Sequence, residues 1–214
     1  MSPLPLDDAD ALPEPPADIA KRKLPLVLKP AGTRYVRIHR ATDGVIWFGW
    51  SPTEKRFRAP TNRFDSPNRS FGVLYAAASR DGAFAESMGR KPGSFRTDDE
   101  LSALSLTELE LTREVRLVDL HGGEAVGALG ATGVVGVGPQ TLARRWATAL
   151  HGHPEALDGI EYRCRNNSDE LAVALFDRIG EASLELISAM SLNSDGIWLS
   201  AMRARHRILN PLAT

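Results

Sequence analysis

Three blocks, Arg63-Phe64-Asp65-Ser66-Pro67, Phe71-Gly72-Val73-Leu74-Tyr75-Ala76-Ala77 and Gly82-Ala83-Phe84-Ala85-Glu86, follow one another within 24 residues. The first carries turn residues and reads as a loop. The second is apolar and bounded by polar turn residues, which predicts a buried strand. Ser79 can cap a helix that runs to about Met88, with Ala83, Phe84 and Ser87 on one face and Gly89 as its stop. Loop, strand and helix in this order can bring an Arg, a Tyr and a Glu to one cleft. Glu86 is the unusual member: its neighbours Ala83, Phe84 and Ala85 are apolar, so its carboxylate is expected to be half-buried and to need a partner.

Working outward, the chain punctuates as a mixed domain. Tyr35–His39, Val45–Phe48, Gly159–Arg163, Leu171–Phe176 and Ala182–Ser188 read as strands. Leu104–Leu111 and Val115–Leu120 flank Thr112-Arg113-Glu114 as a hairpin candidate. A polar connector spans about Lys91–Glu100, and the Gly-rich stretch Gly122–Gly138 holds a short helix and a loop. Gln140 to about Leu150 is an amphipathic helix with Leu142, Trp146 and Leu150 on one face, and a last helix starts near Ser194 or Asp195. The layout is α+β.

The ends of the composition are as informative. Residues 1–30 hold seven of the fourteen prolines, and residues 1–20 carry five acids with no Lys or Arg. Such a stretch buries too little apolar surface to offset its ordering entropy, so residues 1–30 are expected to be a disordered arm before a single domain over 31–214. Between Lys21 and Arg63 the sign reverses, with eleven basic residues against Asp43 and Glu54. That excess suits an anionic ligand, or else a solvated face that pairs with the acidic arm.

Several functional classes fall away. No apolar run reaches the length of a membrane span, and the acidic, Pro-rich start lacks the pattern of a secretory signal. A single cysteine, Cys164, excludes an internal disulfide framework and fits a reducing cytoplasm. The five histidines show no metal spacing. His151-Gly152-His153 sits at an expected helix end, and Gly136-Val137-Gly138 lacks the Lys of a phosphate loop.

Arg, aromatic and Glu together suit rupture of a nicotinamide–ribose bond, which builds positive charge on the ribose. A carboxylate can stabilise that charge, an aromatic ring can stack on the pyridinium, and a guanidinium can hold the diphosphate. A plain alternative is a scaffold ion pair between Arg63 and Glu86 with Tyr75 in the core. A second functional reading is a nucleic-acid-binding or RNA-cleaving protein, using the basic 21–63 stretch with Trp47, Phe48 and Trp50 as stacking platforms; core packing is the competing role for those aromatics.

The same blocks, with Arg37-Ile38-His39-Arg40 before them and Asp158-Gly159-Ile160-Glu161-Tyr162-Arg163-Cys164-Arg165 and Ala174-Leu175-Phe176 after them, resemble the RES-domain family. The resemblance runs from about Arg34 to Phe176. It implies an ADP-ribosyltransferase-like core of short, mostly antiparallel strands in two small sheets with flanking helices. It further implies a toxin of a bacterial toxin–antitoxin pair with an Xre-like antitoxin partner, and consumption of NAD as substrate without a metal. The outcome would be hydrolysis, phosphorolysis or transfer of ADP-ribose to a protein such as phosphoribosyl pyrophosphate synthetase, with no direct role for nucleic acid. By resemblance, Arg63, Tyr75 and Glu86 take the catalytic places and Arg37 a second phosphate contact. Cys164 stands at a cofactor-binding position where the family has Ser, and Asn62-Arg63-Phe64-Asp65 departs from the usual Gly-Arg-Trp/Phe-Asn.

Overall fold

The computed structural model describes residues 14–51, 53–89, 96–131 and 134–208. Its strands are β1 (Leu26–Lys29), β2 (Arg34–Arg40), β3 (Trp50–Ser51), β4 (Arg56–Phe57), β5 (Val73–Ala77), β6 (Leu104–Leu111), β7 (Val115–Asp119), β8 (Gly159–Cys164), β9 (Asn167–Phe176) and β10 (Leu184–Ser191). Its helices are α1 (Arg80–Ser87), α2 (Asp98–Ser102), α3 (Gly123–Ala128), α4 (Val134–Val137), α5 (Gln140–His151) and α6 (Gly196–Arg205). The α+β class and the antiparallel bias hold: every neighbouring pair is antiparallel except β7–β8.

The main sheet runs β1-β7-β8-β9-β5-β2-β6-β10, and β3-β4 form a separate two-stranded ribbon. One junction matters most for function. β5 and β2 share a single register pair, Val36↔Ala77, whereas β5–β9 share five and β2–β6 share seven. The sheet therefore divides there into a five-stranded and a three-stranded part that splay apart. Tyr35 and Leu109 from one part meet Leu74, Leu117, Val173 and Leu175 from the other in a core between them.

Helix α1 sits against this split. Ser79 has extended backbone angles and its side chain accepts from the Gly82 N–H, satisfying one of the free donors of the first turn. Ala83 enters the core shared with α5, and Phe84 enters a different core with Leu101, Leu106, Leu199 and Met202. With two sides so committed, the next turn of α1 carries Glu86 to the line where the sheet parts.

Some local expectations are corrected. Val45–Phe48 is not a strand; its carbonyl groups are satisfied singly, Val45 O by Arg37 Nη1 at 2.9 Å and Phe48 O by the Val73 N–H at 3.0 Å. Leu104–Leu111 and Val115–Asp119 are both strands but form no hairpin, since β6 pairs with β2 and β10 while β7 pairs with β1 and β8. Leu109, Leu111, Val115 and Leu117 instead face one core, so the chain turns from one sheet part to the other and its strands meet through side chains. The polar connector ends in α2, set by a capping box in which Thr97 and Glu100 satisfy each other's backbone donors. Of the expected arm, residues 1–13 lie outside the described residues. Within its remainder Ile19 and Leu24 are buried and β1 pairs with β7, so the packed chain begins before residue 31.

Gly159 opens β8 where two backbones approach closely. A Cβ there would lie 2.4 Å from Ala174 O and 3.0 Å from Leu175 Cα, both main-chain atoms of β9. Gly159→Ala is expected to destabilise the fold by about 2–4 kcal/mol, read as a lower urea midpoint. A midpoint unchanged from the parent would show that β8 and β9 are not packed as described.

Candidate active site

The loop that carries Arg63 is built around Asp65. Its Oδ2 accepts from the Thr61 and Asn62 N–H groups at 2.8 Å each, which folds the chain back on itself. Its Oδ1 accepts from the Tyr75 hydroxyl at 2.9 Å, and that same hydroxyl accepts from the Phe64 N–H at 2.9 Å. Tyr75 thus fastens the loop to β5. The start of α5 fastens it from the other side: Arg144 Nε donates to Asn62 O at 3.0 Å, and Arg63 Nη1 donates to Gly138 O at 2.7 Å. The glycine-rich stretch serves to place that carbonyl.

Arg63 is nearly buried, and burial first, then the neighbouring Arg165, pulls its guanidinium below its ordinary pKa while Glu86 acts in the opposite sense. Glu86 is half-buried, as its surroundings predicted. Its Oε2 accepts from the Tyr162 hydroxyl at 3.0 Å and its Oε1 from the Arg165 backbone N–H at 3.1 Å.

Arg63, Tyr75 and Glu86 line one hollow of about 280 Å³ together with Gln140, Tyr162, Arg165 and Asn166. A second hollow of about 170 Å³ adjoins it, sharing Tyr75, Glu86 and Tyr162 and reaching to Arg37, His39, Trp47 and Arg58. The two make a groove along the opening between β2 and β5, lined by Arg37, Arg58, Arg63 and Arg165 and by the carboxylates of Asp43 and Glu86. Arg37 is buried and its Nε has no hydrogen-bond partner. Burial, more than any neighbour, pushes its pKa down to about 10, so it keeps its charge at neutral pH. Burial and then Arg37 lower the pKa of His39, which bridges Thr107 Oγ1 and Arg40 O at 2.9 Å each. A buried cation bordering a hollow favours an anion there.

Cys164 departs from its expected place. Its side chain is buried, its thiol donates weakly to Gly82 O at 3.8 Å, and it lines neither hollow. Burial raises its pKa, with Glu86 adding to the effect, so it stays a thiol. Tyr162, Arg165, Asn166, Gln140 and Arg58 are groove residues that sequence reasoning does not single out as site residues, and Trp47 enters there only as a base-stacking aromatic. Tyr162 had a legible signal, a phenol alternating with Ile160 and Cys164 on the buried face of β8.

The basic 21–63 stretch is mostly spoken for. Arg22 pairs with Asp18, Lys29 with Glu161, Arg34 with Glu108 and Glu110, and Arg56 with Glu54. Arg37, Arg58 and Arg63 are the members that line the groove. Phe48 is buried, Trp47 carries Arg58 over its ring at 4.7 Å, and Trp50 is exposed edge-on to Phe57. His151 stacks on Phe71 at the end of α5, a packing role. Among the described residues no three His, Cys, Asp or Glu side chains converge in a metal-ligating group, and no helix is long and apolar enough to cross a membrane.

The RES domain family matches residues 34–194, which takes in β2 through β10 and every groove residue named above. The chain belongs to the RES domain family. A solved structure titled as the M. tuberculosis MbcT–MbcA toxin–antitoxin complex contains a chain with a similar fold, at a TM-score of 0.59 and 15% identity, covering 83% of this chain and 92% of that one. No curated protein sequence matches the chain. This RES domain therefore shares its fold with a protein crystallised as part of a toxin–antitoxin pair.

Proposed function

We propose that this RES domain is the toxin of a toxin–antitoxin pair and acts on NAD by breaking its nicotinamide–ribose bond. The observation that carries the reading is the convergence of Arg63, Tyr75 and Glu86 in one groove, with the buried, under-satisfied Arg37 further along it. A dinucleotide brings a diphosphate for the guanidinium groups and a cationic leaving group whose departure leaves positive charge on the ribose. Glu86, held by two donors, supplies a fixed negative charge beside that carbon and an acceptor for a ribose hydroxyl. Arg63 and Arg37 bind the diphosphate, and Tyr75 holds the Arg63 loop while its ring borders the space for the pyridinium.

Nicotinamide leaves with the bonding electron pair and becomes neutral; the ribose carbon then takes water, phosphate or a protein side chain, phosphoribosyl pyrophosphate synthetase being a protein acceptor the family implies. An Xre-like antitoxin is the proposed partner. It would act by denying NAD the groove. Four cations of the 21–63 stretch are held in ion pairs and three more line the groove, which favours this reading over a nucleic-acid surface.

The test is incubation of the purified chain with NAD, with and without phosphate and candidate acceptor proteins, followed by chromatography of the products. Nicotinamide should appear together with ADP-ribose, its 1-phosphate or an ADP-ribosylated protein. Intact NAD under every condition, with antitoxin removed, would refute the reading.

A further inference from the structure

We infer that Tyr162 is a positioning residue for Glu86, orienting its carboxylate through a hydrogen bond to one oxygen; this rests on the role given to Glu86 above. Tyr162 is among the largest fully buried side chains, yet it borders both hollows of the groove. Its ring is fixed edge-on against Phe64, with centroids 4.9 Å apart, and so touches the loop that carries Arg63. Its hydroxyl donates to Glu86 Oε2 at 3.0 Å. Burial, with Glu86 second, holds the Tyr162 pKa well above its ordinary value, so the phenol remains a donor throughout the working range of pH.

The Tyr162 hydroxyl and the Arg165 N–H donate to different oxygens of the carboxylate. The Arg165 N–H takes Oε1 and the Tyr162 hydroxyl takes Oε2, which fixes the plane of the group. A glutamate without such partners samples several rotamers, and a carboxylate that must meet a developing charge loses effect when it does. The rest of the clamp is made by the same strand and its turn. Cys164 Sγ reaches Gly82 O at 3.8 Å and Asn166 Nδ2 donates to Ala85 O at 3.2 Å, so β8 and the residues after it grip α1 from Gly82 to Glu86. Among these contacts the Tyr162 hydroxyl is the one that bears directly on the Glu86 carboxylate and can be removed by a single-atom change. Arg63, Tyr75 and the Arg165 side chain also border Glu86 in the groove and remain in place when it is removed.

The experiment is Tyr162→Phe in the full chain, with two readouts. In steady-state NAD cleavage, kcat is expected to fall about 10–100-fold while KM for NAD stays within about threefold, because the lost bond is to a charged group that acts at the reacting carbon. The second readout is infrared difference spectroscopy on protein with isotope-labelled glutamate, using Glu86→Gln as the reference. The Glu86 carboxylate stretch is expected to shift between the parent chain and Tyr162→Phe. An unchanged kcat, or a loss confined to KM, would overturn the inference, as would an unshifted carboxylate band. If the parent chain releases no nicotinamide, the activity reading fails by itself, and the infrared arm still decides whether Tyr162 orients Glu86.

Discussion

Glu86→Gln is expected to lower nicotinamide release by about 10³-fold or more while leaving NAD binding within a few-fold of the parent. The size follows from removing the full negative charge beside the carbon that turns cationic. The fold should tolerate the change. The amide oxygen can accept from the Arg165 N–H as Glu86 Oε1 does, and the Tyr162 hydroxyl can turn to accept from the amide N–H where it now donates to Oε2. Measured by nicotinamide release and by calorimetric titration of NAD, the variant separates binding from chemistry. Release close to the parent rate would remove Glu86 from the reaction.

Arg63→Gln is expected to reduce kcat/KM by about 100-fold or more, chiefly through weaker NAD binding. Arg63 is nearly buried, and its Nη1 is committed to Gly138 O, so the guanidinium is held at the groove before any anion arrives. A glutamine keeps a donor near Gly138 O but brings no charge. The loop itself is held by Asp65, Tyr75 and Arg144, none of which the substitution touches, so the unfolding midpoint should stay within a few degrees of the parent. The binding loss should shrink as salt is raised, since part of the parent's affinity is then screened as well. A parent-like KM at low salt would place the diphosphate elsewhere.

What the sequence made legible was local. Ser79 before an apolar helix, the alternation around Arg37 and the amphipathic run after Gln140 are each set by neighbours a few residues apart, and β2, α1 and α5 form there. Glu86 could be singled out because a carboxylate among Ala83, Phe84 and Ala85 conflicts with its surroundings. The capping box of Thr97 and Glu100 is equally local, although the polar composition around it reads as connector. Other features depend on partners distant in sequence. Val45–Phe48 has the composition of a strand but borders the groove at Trp47, with its Val45 and Phe48 carbonyl groups given to Arg37 and Val73. The turn at Thr112–Glu114 looks like a hairpin, yet Arg113 is drawn to Asp158 and Ser183, and β6 and β7 part into opposite halves of the sheet.

The site shows the same division. Arg63, Tyr75 and Glu86 were found from one short stretch and from family resemblance, and they share a hollow. Tyr162 and Arg165 come from β8 and its turn, more than seventy residues after Glu86, and nothing in local spacing links them to it. Cys164 was placed by correspondence of position alone. Its neighbour in space is the Gly82 carbonyl, which no alternation pattern could reveal.

The most direct test of the account is a crystal structure of the Glu86→Gln protein with NAD. The dinucleotide should lie in the opening between β2 and β5, its nicotinamide ribose beside residue 86 and its diphosphate within hydrogen-bond reach of Arg63 or Arg37. NAD bound at another surface with this groove empty would contradict the account.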